Sequence, residues 1–144
     1  IKLDRFLYSS MHYPGDYGFI PQTYGGDNDA LDMLVYTNWG ILPGTIAAVR
    51  PIGAMTMIDS GERDDKIIGV YSIDPRLSEI QEINDLPKHV IKEIKYFFEN
   101  YKTLENKKVK VLRVLNKKDA HKLILRGIKD YHKKFKQQNS TYLI

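Results

Sequence analysis

The spacing of apolar residues changes once along this chain, and that change restricts the fold to a β half followed by a largely helical half. Before residue 87 the apolar stretches are short and bounded by Gly, Pro, Asn and Asp, at 17–20, 33–36, 45–50, 52–59 and 66–71. Runs of that length and punctuation read as strands. Pro51-Ile52-Gly53 separates 45–50 from 52–59, since proline removes a ladder donor and glycine tolerates a bend or bulge. Beyond Pro87 the apolar positions Val90, Ile91, Ile94, Phe97, Phe98 and Tyr101 recur at helical spacing, with Asn84-Asp85 and Pro87 marking the start. A further strand is expected at 109–114. Asn116 then caps a second helix whose apolar face is Ala120, Leu123, Ile124, Ile128, Tyr131 and Phe135. About five short strands followed by helices predict a mainly β, α+β fold: a small closed barrel with two helices packed outside it.

The length of 144 residues suits a single domain with one core. Residues 137–144 show no pattern and read as a tail. The chain has no cysteine, which rules out a disulfide scaffold, a thiolate metal site and a cysteine nucleophile, and is compatible with a cytoplasmic location. No apolar run approaches the roughly 20 residues of a membrane helix, so no membrane partner is expected. Net charge is +4, from 22 basic and 18 acidic residues, which suits an anionic substrate or a nucleic acid. The distribution separates these readings. Lysines crowd the last third, whereas acids concentrate at 27–32 and 59–65.

The first cluster is Asp27-Asn28-Asp29-Ala30-Leu31-Asp32, leading into the strand at 33–36. Three carboxylates within six residues repel one another and raise each other's pKa, unless solvated apart or held by cations. Such an oxygen-rich group is either a solvated acidic turn or a site for Mg²⁺ or Mn²⁺. An EF-hand is excluded, because Asp32 stands where glycine is required and Asn38 where glutamate is. The second cluster, Asp59 to Lys66, reads as the tip of a hairpin, with Asp59 ending one strand and Lys66 opening the next. Were the two to share a rim, they would form a multi-metal site. Among the ten tyrosines, Tyr24, Tyr36, Tyr71, Tyr96 and Tyr131 read as packing residues. Tyr101-Lys102 closes a helix, where lysine also suits the dipole. His12, His89, His121 and His132 lack metal-ligand spacing, and no phosphate loop or catalytic triad signature occurs.

The run from Asp27 to Val35 resembles the signature of the soluble family I inorganic pyrophosphatases, with Ala30 where proline is common. Other blocks of that family follow at matching spacing: Asp4-Arg5-Phe6, Tyr13-Pro14 with Tyr17-Gly18, Asp59 with Asp64 and Lys66, Asn84-Asp85-Leu86-Pro87, and Phe97-Phe98-Glu99 with Tyr101-Lys102. The resemblance implies an OB-type five-stranded barrel, hydrolysis of pyrophosphate, and several Mg²⁺ ions per site with Mn²⁺ or Zn²⁺ as substitutes. It implies that Asp27, Asp32 and Asp64 hold the tightest metal, that Asp32 is shared with a second, and that Asp59 and Asp64 meet one arriving with substrate. Asp29 corresponds to the general base. Arg5, Tyr17, Lys66, Tyr101 and Lys102 correspond to phosphate-holding groups, with Tyr13 near them. A homo-oligomer, in compact members a hexamer, is implied as well. The family also uses a Glu and a Lys-x-Glu pair ahead of the Asp-Arg-Phe block, so a single pyrophosphatase domain over 1–144 lacking its N-terminal segment is expected. The rival expectation is a small barrel that binds single-stranded nucleic acid without catalysis, which needs a positive groove with stacking aromatics.

Overall fold

The structure is a computed structural model that describes residues 5–139; Asp4, in the first family block, lies outside them. In chain order the strands are β1 (Asp16–Phe19), β2 (Asp32–Tyr36), β3 (Val49–Asp59), β4 (Glu62–Arg63), β5 (Lys66–Tyr71) and β6 (Val109–Asn116), with helices α1 (Lys88–Asn100) and α2 (Lys117–Asn139). The α+β expectation therefore holds. The strands form one sheet in the order β1-β2-β5-β3-β4, with β6 also paired to β3. β2 and β5 run parallel, and the remaining pairs are antiparallel.

Among the described residues the ladders do not join β6 to β1, so hydrogen bonds do not close the sheet into the expected barrel. Local patterns mark strands, but ring closure depends on which distant edges meet. A second difference is that 45–48 is not strand, and β3 is one eleven-residue element. Its register jumps between Pro51 and Gly53, so Ile52 is an extra residue and the strand bulges instead of ending. The tail also differs in part, since α2 continues to Asn139.

The bulge sets which side chains face which helix. Ile52, Met55 and Met57 join Leu34, Ile68 and Val70 against Ile94, Phe97 and Phe98 of α1. Ala54 joins Met33, Val35, Ile67 and Tyr71 against Ala120 of α2, with Leu123 and Ile124 beside them. β5 is buried along its whole length, as expected of a strand covered on both faces. Asn116 Oδ1 accepts from Asp119 N at 2.9 Å, the predicted cap of α2. Tyr71 packs as expected, but Tyr96 is 63% exposed. It lies two positions from both Ile94 and Phe98 and hence points about 200° away from the apolar stripe.

Gly15 shows how tightly the chain passes its neighbours before β1. Its φ is +153°, and a Cβ there would lie 2.3 Å from Val35 O. Gly15→Ala is expected to lower stability by about 1–3 kcal/mol, since β2 backbone cannot yield as a side chain can. Chemical denaturation of the two proteins measures this.

Candidate active site

Strand parity brings the acids to one end of the sheet. Asp32 opens β2 and Lys66 opens β5, and the two are direct register partners across the parallel pair. Alternation places both on the face that carries Leu34, Ile68 and Val70. Asp59 ends β3 on the face of Met55 and Met57, and its hairpin turns through Ser60 and Gly61, both with positive φ (52° and 94°). The loop ahead of β2 is drawn tight by Ile20 N donating to Leu31 O at 2.9 Å and Gly25 N to Asp29 O at 2.7 Å. Inside it, buried Thr23 accepts from Leu31 N and donates to Ile20 O. Asp27 Oδ1 accepts from Asp29 N at 3.2 Å, and Asn28 takes a left-handed φ of 68°, so Asp27 and Asp29 share one turn.

A cavity of about 690 Å³ at this end is lined by Asp27, Asp29, Asp32, Asp59 and Asp64, and by Arg5, Tyr17, Lys66, Tyr101 and Lys102. All ten residues singled out in the sequence thus share it. Tyr13 lines it too, stacked on Tyr17 with ring centroids 4.4 Å apart and tilted on Phe97 at 4.6 Å. Three further polar residues at the cavity, Ser60, Glu62 and Lys107, had no assigned role. Glu62 and Ser60 belong to the second acidic hairpin. Lys107 has no local signature that separates it from Lys108. Its position follows from the turn at Asn106, with φ 57°.

Two lysines hold three of the five acids at this rim. Lys66, its side chain 3% exposed, contacts Asp32 and lies 2.6 Å from Asp64 Oδ1. Lys102, two residues past the end of α1, contacts Asp59 and thereby ties the segment after the helix to the hairpin. Tyr17 OH donates to Asp32 Oδ2 at 2.6 Å. Burial by itself would lower the Lys66 pKa, but Asp32 and Asp64 outweigh it and the ammonium is held above its ordinary value. Burial would raise Asp59, yet hydrogen bonds from Lys102 and Ser60 hold it below the usual carboxylate range. Asp64 moves up: burial dominates, Lys66 offsets part of it, and the charges of Asp32 and Asp27 add to it. Burial pushes the phenols of Tyr13, Tyr17 and Tyr101 above their usual value, so all three stay neutral O–H donors at physiological pH.

Among the described residues no three acids or histidines already converge as a metal cage. The donor set still suits a hard cation. It consists of carboxylate oxygens without sulfur or imidazole, and Asp27, Asp32 and Asp64 sit close enough for the first two to raise the third. A divalent cation would relieve that repulsion. No helix among the described residues is long and apolar enough to cross a membrane.

The profile of the inorganic pyrophosphatase family matches residues 1–132. An inorganic pyrophosphatase of Picrophilus torridus is 47% identical over 133 residues, covering 92% of this chain and 75% of that protein. Soluble inorganic pyrophosphatase 3 of Arabidopsis thaliana is 51% identical over 124 residues, 86% of this chain and 57% of that longer protein. The crystal structure of inorganic pyrophosphatase from Thermus thermophilus superposes with a TM-score of 0.86 at 44% identity, over 90% of this chain and 76% of that one. Sequence and fold agree over the same stretch that builds the acid-lined cavity, and the chain belongs to the inorganic pyrophosphatase family.

Proposed function

We propose that the chain cleaves pyrophosphate into two phosphates with Mg²⁺ as its metal, and that Asp29 handles the proton of the attacking water. As a member of its family the chain is a hydrolase, an inorganic diphosphatase. The observation that carries the residue assignments is the gathering of five aspartates and five phosphate-binding groups around one cavity. Asp27, Asp32 and Asp64 would hold the tightest metal, Asp32 would be shared with a second, and Asp59 with Asp64 would meet a metal arriving with substrate. Bound there, such cations supply charge neutralisation of the polyanion and acidify the attacking water.

The remaining work falls to the chain itself. Arg5, Lys66 and Lys102 attract and orient the phosphates as point charges or a guanidinium fork. Tyr17 and Tyr101, kept neutral by burial, donate hydrogen bonds to oxygens whose charge grows as the bridging bond breaks. Among the described residues Asp29, like Asp27, makes no hydrogen bond or ion pair to a side chain, and its Oδ1 accepts from Ala30 N at 2.8 Å. It is therefore free to take the water's proton. The nucleic-acid reading is not favoured, because the cavity mouth carries the acids. Self-association is supported by exposed large apolar side chains, with Leu42 81%, Ile46 95% and Ile73 88% exposed; sedimentation at several concentrations tests it.

Phosphate release from pyrophosphate is expected to rise saturably with Mg²⁺ and to vanish with a chelator. A protein that releases no phosphate at any Mg²⁺ concentration would remove the metal assignment together with the Asp29 role.

A further inference from the structure

We propose that a second cavity, between α2 and the loop that carries Asp27 and Asp29, binds a phosphoryl oxyanion at a site separate from the catalytic rim. The cavity measures about 580 Å³, and Arg63, Arg126, Lys133 and Lys134 line it against Asp65 and Asp130. Four cations against two acids leave a net charge of +2 on its walls. Its size lies within the ordinary range for small-molecule sites.

The cations are only partly engaged. Arg63 uses Nε for Asp65 Oδ2 at 2.8 Å, and its terminal guanidinium nitrogens make no hydrogen bond among the described residues. Arg126 reaches Asp130 only at 3.6 Å, an exposed contact that holds the guanidinium weakly. Lys133 has no ion pair among the described residues. Lys134 Nζ lies over the Tyr24 ring, 3.9 Å from its centroid, and contacts its hydroxyl. Spacings of four, three and one along α2 bring residues 126, 130, 133 and 134 to one side of the helix. An oxyanion between Arg63 and that side would collect charge-assisted hydrogen bonds from two elements far apart in sequence.

The same cavity touches both segments that carry the catalytic acids. Tyr24 N donates to Gly127 O at 3.0 Å, and Tyr24 OH donates to Asn28 Oδ1 at 2.6 Å, between Asp27 and Asp29 in the chain. Gly26 packs on the backbone of Arg63, the residue before Asp64. A Cβ at Gly127 would meet Leu31 Cδ1 at 2.7 Å, so helix and loop are in close contact beside the cavity.

The test is a backbone-amide NMR titration in chelator at constant ionic strength, with inorganic phosphate in one arm and ATP in the other. The chain is compared with its Arg126→Ala/Lys133→Ala variant, whose basal hydrolysis should be unchanged. Saturable shifts at Gly26 and Gly127 are expected for at least one ligand, with an apparent Kd about tenfold weaker in the variant. The arm that saturates at the lower concentration identifies the source of the oxyanion. Shifts at Gly26 and Gly127 that never saturate in either arm, or that are identical in the variant, overturn the site. Since the readout is binding at α2, its failure is separate from any failure of the catalytic assignment.

Discussion

Asp29→Asn is expected to lower kcat by about 10²- to 10⁴-fold, the usual contribution of a positioned general acid or base, while the midpoint of denaturation stays unchanged. The chain makes such a separation measurable. Asp29 is exposed, and among the described residues its only hydrogen bond through a side-chain oxygen is from the neighbouring Ala30 N at 2.8 Å. The amide oxygen of asparagine can keep that bond. What the substitution removes is the ability to take a proton, so KM for pyrophosphate and the Mg²⁺ requirement should change far less than kcat. An unchanged kcat would move the base to another carboxylate of the rim. Glu62, which lines the same cavity, would then be the next to replace.

The second large effect concerns Lys66. Lys66→Met keeps most of the volume of a side chain that is 3% exposed, but removes the charge between Asp32 and Asp64. Asp32 and Asp64 are only partly buried, with side chains 27% and 12% exposed, so leaving them without their cation is expected to cost less than a fully buried pair would, about 2–3 kcal/mol. The loss should be greatest in chelator and smaller in Mg²⁺, because a divalent cation near the same carboxylates replaces the missing charge. Catalysis should suffer in both conditions, with kcat/KM down by about 10²- to 10³-fold, in the range for loss of one charge-stabilising donor. Denaturation midpoints with and without Mg²⁺ measure the first effect and steady-state kinetics the second. Equal destabilisation in both conditions would mean that Lys66 acts through packing and not through charge.

Much of this site could be read directly from the chain. Asp27, Asp29 and Asp32 lie within six residues, and Asp59, Asp64 and Lys66 fall within eight, so the spacing itself announces two acid-bearing turns. The helix ending in Tyr101-Lys102 was legible from its apolar period. The strands on either side of Pro51 were harder. Proline and glycine suggested a break, whereas the pairing to β5 absorbs them as a bulge. Lys107 and the cationic cavity on α2 left no local trace, since lysines at helical spacing look the same whether they face solvent or a loop.

By itself the sequence determined the two acidic turns, the change from strands to helices and the residues that belong to the family pattern. These are properties of neighbours in the chain: turn chemistry, side-chain alternation and helical period. Only the tertiary structure decided that the two turns share a rim, that Lys66 stands between Asp32 and Asp64, and that Lys102 reaches Asp59. Those contacts join residues as many as 43 positions apart. They follow from which strand edges pair and from the one-residue bulge at Ile52, because a shift of one residue in register turns every side chain to the opposite face.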